Sequence, residues 1–100
     1  MTKVRYHPAA RAEFLHDIAY FAAISTRLAE RYDEAVHAAE MQAAADPEAW
    51  PKYGAKTRRV IDRRFKFSLV YLHTENEIYV VAVAPAKRKP GYWSRRVRNA

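Results

Sequence analysis

The chain has 100 residues and no cysteine, and its 18 Lys and Arg against 11 Asp and Glu give a formal net charge of +7. A chain of this length forms one domain, here residues 1–100, which buries about 60–70% of its unfolded surface. Without cysteine there are no disulfides, thiolate nucleophiles or thiolate metal ligands. No segment approaches the ~20 apolar residues of a membrane span, and residues 1–6 lack the apolar run of a signal peptide. We therefore expect a cytoplasmic protein without membrane contact.

The charge is divided unevenly between the two halves of the chain. Residues 1–51 carry five basic and eight acidic side chains, a net charge of −3. Residues 52–100 carry thirteen basic and three acidic side chains, a net charge of +10. Such asymmetry indicates a basic face that binds nucleic acid or an acidic protein partner.

The N-terminal segment predicts a short strand followed by a helix. Residues 3–7 alternate polar and apolar side chains, as a strand with one buried face does. Pro8 suits a first helical position, where its missing N–H costs nothing. Four apolar residues then recur at helical steps on one face: Ala10, Phe14, Ile18 and Phe21.

A second helix follows the first. Ser25 and Thr26 interrupt the apolar pattern and offer an N-cap hydroxyl. The predicted buried stripe of this helix contains Leu28, Tyr32, Val36 and Ala39. It ends at Asp46-Pro47, because the residue before a proline disfavours helix.

The second half of the chain predicts three strands, at residues 57–65, 67–73 and 77–84. Residues 73–77 supply a hairpin turn in which Asn76 is the residue best suited to a positive φ. The strand 77–84 is apolar on both faces, as a central strand should be.

These elements predict the order β-α-α-β-β-β and an α+β fold, in which an N-terminal helical hairpin packs on one face of a small antiparallel sheet. We expect the basic residues on the opposite face of the sheet and at the exit of the last strand.

Most catalytic chemistries lack support in this chain. The four histidines include no i, i+4 pair, so neither a metal site nor a cofactor is expected. Two glycines are too few for a phosphate-binding loop. Ser68 and Ser94 have no readable His–Asp partner. Glu13 and Asp17 form an i, i+4 carboxylate pair that we interpret as solvated groups on an exposed helix face.

The basic residues are the strongest functional signal. Nine of them lie on the predicted strand 57–65 or follow the last strand: Arg58, Arg59, Arg63, Arg64, Lys87, Arg88, Lys89, Arg95 and Arg96. If they converge, they could hold a phosphodiester or an acidic partner, with the Tyr92 and Trp93 rings stacking on bases. Tyr92 could also donate or accept a proton. The alternative is that the cations only solvate sheet edges, and that both rings fold back on the core.

Across nearly its full length the chain resembles the RelE/ParE superfamily of toxins from type II toxin–antitoxin modules, also known as plasmid stabilisation proteins. The matching segments occur in family order: 6–10 (YHPAA), 29–32 (AERY), 46–47 (DP) with 50–51 (WP), 58–60 (RRV), 64–65 (RF) with 69–71 (LVY), 78–84 (IYVVAVA) and 88–93 (RKPGYW). The superfamily fold, a helical hairpin on a curved antiparallel sheet, agrees with the elements predicted above.

The resemblance implies one of two mechanisms. RelE-like members cut messenger RNA on the ribosome without metal, using basic residues and a C-terminal tyrosine, whereas ParE-like members inhibit DNA gyrase. Arg88 falls where RelE-like toxins have a functional arginine and Tyr92 lies close to their tyrosine, so these two are the candidate catalytic residues of a nuclease. Ser68 replaces a second phosphate-binding arginine, and Ile61 replaces a lysine. The RelE-type site is therefore incomplete.

We predict a type II toxin that acts on DNA gyrase and is neutralised by a small acidic antitoxin, whose charge would complement the basic half of the chain. The Trp93 ring and the nine basic residues are the predicted contacts with target or antitoxin. A metal-independent, ribosome-dependent messenger RNA endonuclease is the first alternative. A non-toxic accessory domain that binds nucleic acid is the second.

Overall fold

A computed structural model describes residues 2–98. Within this range the elements are β1 (Lys3–Tyr6), α1 (Pro8–Ile24), α2 (Thr26–Ala45), β2 (Arg58–Asp62), β3 (Phe67–Thr74), β4 (Glu77–Pro85) and α3 (Ser94–Arg98). The α+β class and the predicted element order are confirmed. The short helix α3 is an addition that the sequence patterns did not predict.

The four strands form one sheet in the order β1-β4-β3-β2. Strands β2, β3 and β4 are antiparallel neighbours, whereas β1 pairs with β4 in parallel. The sheet is thus mixed, although it was predicted to be antiparallel. The reason is topological: β1 pairs with the strand farthest from it in the chain, and no local pattern reports that pairing.

Strand β4 is central, as predicted, and every residue from 78 to 84 is buried. Tyr71 of β3 lies opposite Val80 while Val70 lies opposite Ala82, so Val81 is the extra residue of a β-bulge. The partner strand β1 ends at Tyr6. Beyond that point the outer edge of β4 has no strand beside it, and side chains must satisfy its backbone groups.

The two long helices begin at caps that the sequence encodes. The His7 side chain accepts a hydrogen bond from the Ala9 N–H at 3.0 Å, and Pro8 occupies the first helical position. Ser25 Oγ accepts from the Leu28 N–H at 3.0 Å, which confirms the predicted N-cap of α2. Helix α2 ends at Ala45, directly before the predicted Asp-Pro stop.

The main core lies between the helical hairpin and one face of the sheet. Its centre is Tyr32, which is buried, and the nearest ring centroids are those of Phe21 at 5.0 Å, Phe65 at 5.4 Å and Phe67 at 5.6 Å. Phe14 lies 6.0 Å away in a stacked orientation. The predicted apolar face of α1 therefore packs inward, with Phe14 and Phe21 only partly buried.

Replacing Phe14 by alanine should lower the free energy of unfolding by about 2–3 kcal/mol, less than the 3–5 kcal/mol of a fully buried ring. Leu15 is the matched control, because it is the next residue of α1 and is 51% exposed. Leu15→Ala should change stability by no more than about 0.5 kcal/mol. Urea denaturation of both variants measures the difference, and equal losses would mean that the helix is rotated from this orientation.

The opposite face of the sheet carries a second core. Val70, Ala82 and Ala84 are buried there beneath Trp93, and Tyr53 and Val97 pack around them. The prediction that the basic residues occupy this face is therefore wrong for most of its area. Both faces of β3 and β4 are apolar, so the segment after β4 folds back across the second face and keeps water from it.

Strand β2 is shorter than the predicted strand 57–65, because a turn begins at its end. The Asp62 side chain accepts a hydrogen bond from the Phe65 N–H at 2.7 Å, and Lys66 adopts a φ of 58°. An aspartate that bonds the backbone three residues ahead competes with strand pairing. Within residues 2–98, the other left-handed residue that is not glycine is Asn76, with a φ of 57°, as the sequence predicts.

Candidate functional site

A cationic depression lies at the corner where β2 and β4 end and β3 begins. It encloses about 290 Å³, and the cations that line it are Arg59, Arg63, Lys66 and Arg88. They meet because antiparallel pairing puts Phe67, the first residue of β3, opposite both Asp62 and Pro85. The structure thus brings together three of the nine predicted cations, one each from β2, the following turn and the exit of β4.

Arg59 is held firmly within this depression. Its guanidinium lies 3.7 Å from the centroid of the Tyr53 ring, and its Nη1 donates to Ser68 Oγ at 3.4 Å. Ile61 also lines the depression and is 44% exposed. At the two positions where the RelE resemblance calls for basic residues, the wall therefore presents a hydroxyl and an apolar side chain.

Two other predicted cations, Arg58 and Arg64, do not line the depression. Arg58 alternates with Arg59 along β2 and donates from Nη1 to the Trp50 carbonyl oxygen at 2.7 Å. Arg64 lies in the turn after β2, with its guanidinium 5.9 Å from the Phe65 ring centroid. A set of basic residues adjacent in sequence is thus divided between different surfaces.

The residues that follow β4 are divided in a similar way. Lys87 lines a separate hollow beside α1, and Lys89 and Arg95 are exposed. Trp93 is only 4% exposed and packs against Tyr53, with the ring centroids 5.1 Å apart and the rings tilted by 32°. Trp93 belongs to the second core, which makes it a poor candidate for a contact residue in this conformation.

The Glu13 carboxylate lies next to Arg88, outside the lining of the cationic depression. Glu13 Oε1 accepts a hydrogen bond from the Val83 N–H at 3.0 Å, and Oε2 accepts from the Tyr92 hydroxyl at 2.8 Å. Arg96 Nη2 lies 3.0 Å from Oε2, and Arg88 Nη1 lies 3.8 Å from it. The Glu13 side chain is 17% exposed, so one carboxylate joins α1, β4 and α3.

The interpretation of Glu13 and Asp17 as solvated groups is therefore wrong. The hydrogen-bond partners of Glu13, Val83 and Tyr92, lie 70 and 79 positions farther along the chain. Rules based on residue spacing do not extend over such separations. Asp17 accepts a hydrogen bond from the Tyr32 hydroxyl at 2.7 Å, and burial raises the pKa of its carboxyl group. The one local signal is that Glu13 borders the apolar stripe, three residues after the buried Ala10.

Glu13 and Arg96 also close the edge of the sheet. Arg96 Nη1 donates to the Val81 carbonyl oxygen at 3.0 Å, and the Glu13 carboxylate accepts a hydrogen bond from the Val83 N–H. These are backbone groups of β4 beyond the end of β1. Side chains that cover such an edge satisfy buried polar groups and block unwanted strand pairing.

Tyr92 is a hydrogen-bond donor in this arrangement. Burial, together with the hydrogen bond to Glu13 and the charge of that carboxylate, raises the pKa of the Tyr92 phenol well above its usual range. The Arg88 guanidinium lies 3.8 Å from the centroid of the same ring. A general base needs a pKa tuned towards the working pH, and this environment shifts the phenol the opposite way.

A sequence profile described as the ParE toxin of the type II toxin–antitoxin system parDE matches residues 4–90. The chain belongs to the ParE toxin family. The predicted superfamily resemblance is thereby confirmed. The match to the ParE family includes Glu13 and Arg88, whereas Tyr92, Trp93 and α3 lie beyond its end.

Two solved structures share the fold of this ParE family member. One, described as the chromosomal ParDE toxin–antitoxin system from P. aeruginosa, has a TM-score of 0.61 at 15% identity and covers 87% of this chain and 98% of its own. The isolated E. coli RelE toxin has a TM-score of 0.54 at 15% identity, with 100% of both chains covered. No curated protein sequence matches significantly.

Among residues 2–98, no group of three or more His, Asp or Glu side chains is placed to hold a metal ion. No helix in this range combines the length and apolar character needed to cross a bilayer.

Buried tyrosines should make the protein less stable in alkali. Burial raises the pKa of Tyr71 to about 12, and burial with a carboxylate partner raises the pKa values of Tyr6, Tyr32 and Tyr92 further. The folded state then keeps protons that the unfolded chain loses near pH ~10, so stability should fall as the pH rises through that value. Urea denaturation between about pH 9 and 11 tests this. An unchanged free energy of unfolding would contradict it.

Proposed function

We propose that this ParE-family toxin stops growth by acting on DNA gyrase, and that a cognate antitoxin neutralises it. The family match supports the choice of branch, since the sequence profile is that of ParE. The superfamily resemblance implies gyrase inhibition for ParE-like toxins and message cleavage for RelE-like toxins.

The observation that carries the proposal is the position of Glu13. The Glu13 carboxylate accepts a hydrogen bond from Tyr92 and lies 3.8 Å from Arg88. A phosphodiester held by Arg88 and Tyr92 would therefore lie beside this carboxylate. Two unit charges of the same sign ~4 Å apart repel by about 4 kcal/mol at an effective dielectric constant of 20. The Tyr92 hydroxyl donates its hydrogen bond to this carboxylate, so the phenol is poorly placed to act on RNA.

The cationic depression supports the second candidate, a ribosome-dependent messenger RNA endonuclease. Arg59, Arg63 and Arg88 line one hollow and could stabilise charge on a phosphodiester. Ser68 and Ile61 weaken this candidate, because they supply no charge where the resemblance calls for two cations. A non-toxic accessory domain is the remaining alternative.

Purified protein should be tested with DNA gyrase, following supercoiling and trapped cleavage complexes, and with translating ribosomes, following message cleavage. We expect inhibition of gyrase and intact messages. Tyr92→Phe should remain toxic, because the variant loses a hydroxyl but keeps the ring that packs on Trp93. Message cleavage by the parent chain, reduced about 10²–10⁴-fold in Tyr92→Phe, would instead identify an enzyme that uses the phenol as acid or base.

The antitoxin is proposed to be a small acidic protein encoded beside this chain. Residues 52–100 carry a net charge of +10, which favours fast association with a partner of opposite charge. The complex should weaken as salt is raised, since the Debye length is only ~10 Å at 0.1 M and shrinks further above it. If the product of the neighbouring gene does not co-purify with the toxin, this part of the proposal fails.

A further inference from the structure

Four hydrogen-bond donors or cations converge on the Glu13 carboxylate from three different segments. They are the Val83 N–H, the Tyr92 hydroxyl, the Arg96 guanidinium and, at 3.8 Å, the Arg88 guanidinium. With two cations around one carboxylate, the cluster has a formal charge of +1. Convergent donors with excess positive charge are the physical requirement for binding an oxyanion.

The donors are held in place by contacts other than those with Glu13. Val83 pairs with Leu69 in the centre of the sheet. Arg96 is fixed by its second nitrogen, which donates to the Val81 carbonyl oxygen at 3.0 Å. The Tyr92 ring packs edge-on against Trp93 at 5.3 Å. The arrangement is thus preorganised by the sheet and the second core.

We propose that these donors form an oxyanion-binding site whose resident ligand is the chain's own Glu13 carboxylate, and that a small external carboxylate or phosphate can take its place once the Glu13 side chain is removed. In the native chain the resident carboxylate excludes other anions from the corner beside Arg88. The inference concerns the site itself and holds whichever cellular target the toxin has.

Glu13→Ala tests the proposal by chemical rescue. The variant should be less stable than the parent in chloride, because the Arg96 guanidinium loses its partner. Adding sodium acetate or sodium phosphate at matched ionic strength and pH should restore stability in a saturable way. At a ligand concentration ten times Kd, the folding equilibrium constant should rise about elevenfold. Acetate reproduces the lost carboxylate, and phosphate tests for a tetrahedral ligand.

Two controls separate site binding from a general effect of salt. The parent, whose site is filled, and Glu30→Ala, which removes an exposed acid from α2, should respond to neither anion beyond the chloride baseline. The double variant Glu13→Ala/Arg96→Met should lose the rescue. In Glu13→Ala the backbone amide resonance of Val83 should shift during the titration, and distant amides should not.

Selective stabilisation of Glu13→Ala by either anion, with a shift at Val83, supports the site and shows which ligand shape it accepts. A response no larger than that of Glu30→Ala overturns the proposal. If Glu13→Ala is unfolded in chloride, circular dichroism follows anion-induced folding of this variant and of Glu13→Ser. Failure of both anions to fold either variant also overturns it.

Discussion

Trp93→Ala is expected to lower the free energy of unfolding by about 3–5 kcal/mol, among the largest effects of any single truncation in this chain. The indole is 4% exposed and lies over the second face of the sheet, with Tyr53 and Tyr92 rings 5.1 and 5.3 Å away. Removing it leaves a cavity above Ala82 and Ala84, and it loosens the segment that leads into α3.

Arg95→Ala is the matched control, because Arg95 lies two residues farther along and is exposed. It should change stability by less than about 0.5 kcal/mol. Guanidinium denaturation of both variants measures the contrast. A Trp93→Ala variant as stable as Arg95→Ala would show that the indole is exposed and available to a partner, as the sequence suggested.

Arg88→Ala is expected to abolish growth inhibition in bacteria while leaving the fold intact. The side chain is 56% exposed, and its distance of 3.8 Å from Glu13 makes the ion pair weak, so stability should change by no more than about 1 kcal/mol. If Arg88 contacts the target, its loss should weaken inhibition of purified gyrase about tenfold or more, which corresponds to 1.4 kcal/mol.

Arg27→Ala provides the control for charge alone. It removes the same charge from the exposed start of α2, away from the cationic depression. This variant should stay toxic, and both variants should keep the circular dichroism spectrum and cooperative unfolding of the parent. Toxicity retained in Arg88→Ala would remove this corner from the target surface, and toxicity lost equally in both would indicate an effect of net charge.

The helices and the central strand could be predicted from the sequence because their signals are local. The N-cap at Ser25, the stop at Asp46-Pro47 and the left-handed Asn76 depend on interactions within four residues. The apolar character of 78–84 on both faces implied that something covers each face. The pattern identified the helical hairpin as the cover of one face, but basic residues were wrongly expected on the other, which Trp93 covers.

The candidate site followed from the sequence only in part. The sequence left open whether the basic residues before β3 and after β4 converge, and in the structure Arg59, Arg63 and Arg88 line one depression. Arg58 does not, because side chains alternate across a strand and it lies on the other face from Arg59. Trp93 was predicted to contact the target or the antitoxin. In a sequence, an indole beside basic residues looks the same whether it packs on a partner or on the protein's own core.

By itself, the sequence determined the types and order of the two long helices and the four strands, the core face of the hairpin and the family, all of which depend on spacing within short windows. Only the tertiary structure decided that β1 pairs in parallel with β4, that the segment after β4 covers the second face, and that Glu13 lies among Val83, Tyr92 and Arg96. The physical reason is that these contacts are not local: β1 and β4, and Glu13 and its partners, are about 70 or more positions apart, and Trp93 packs on a tyrosine outside its own segment, Tyr53. The geometry of these contacts depends on how the whole chain packs its apolar surfaces. The position of Glu13 at the border of an apolar stripe therefore does not indicate which partners its carboxylate will have.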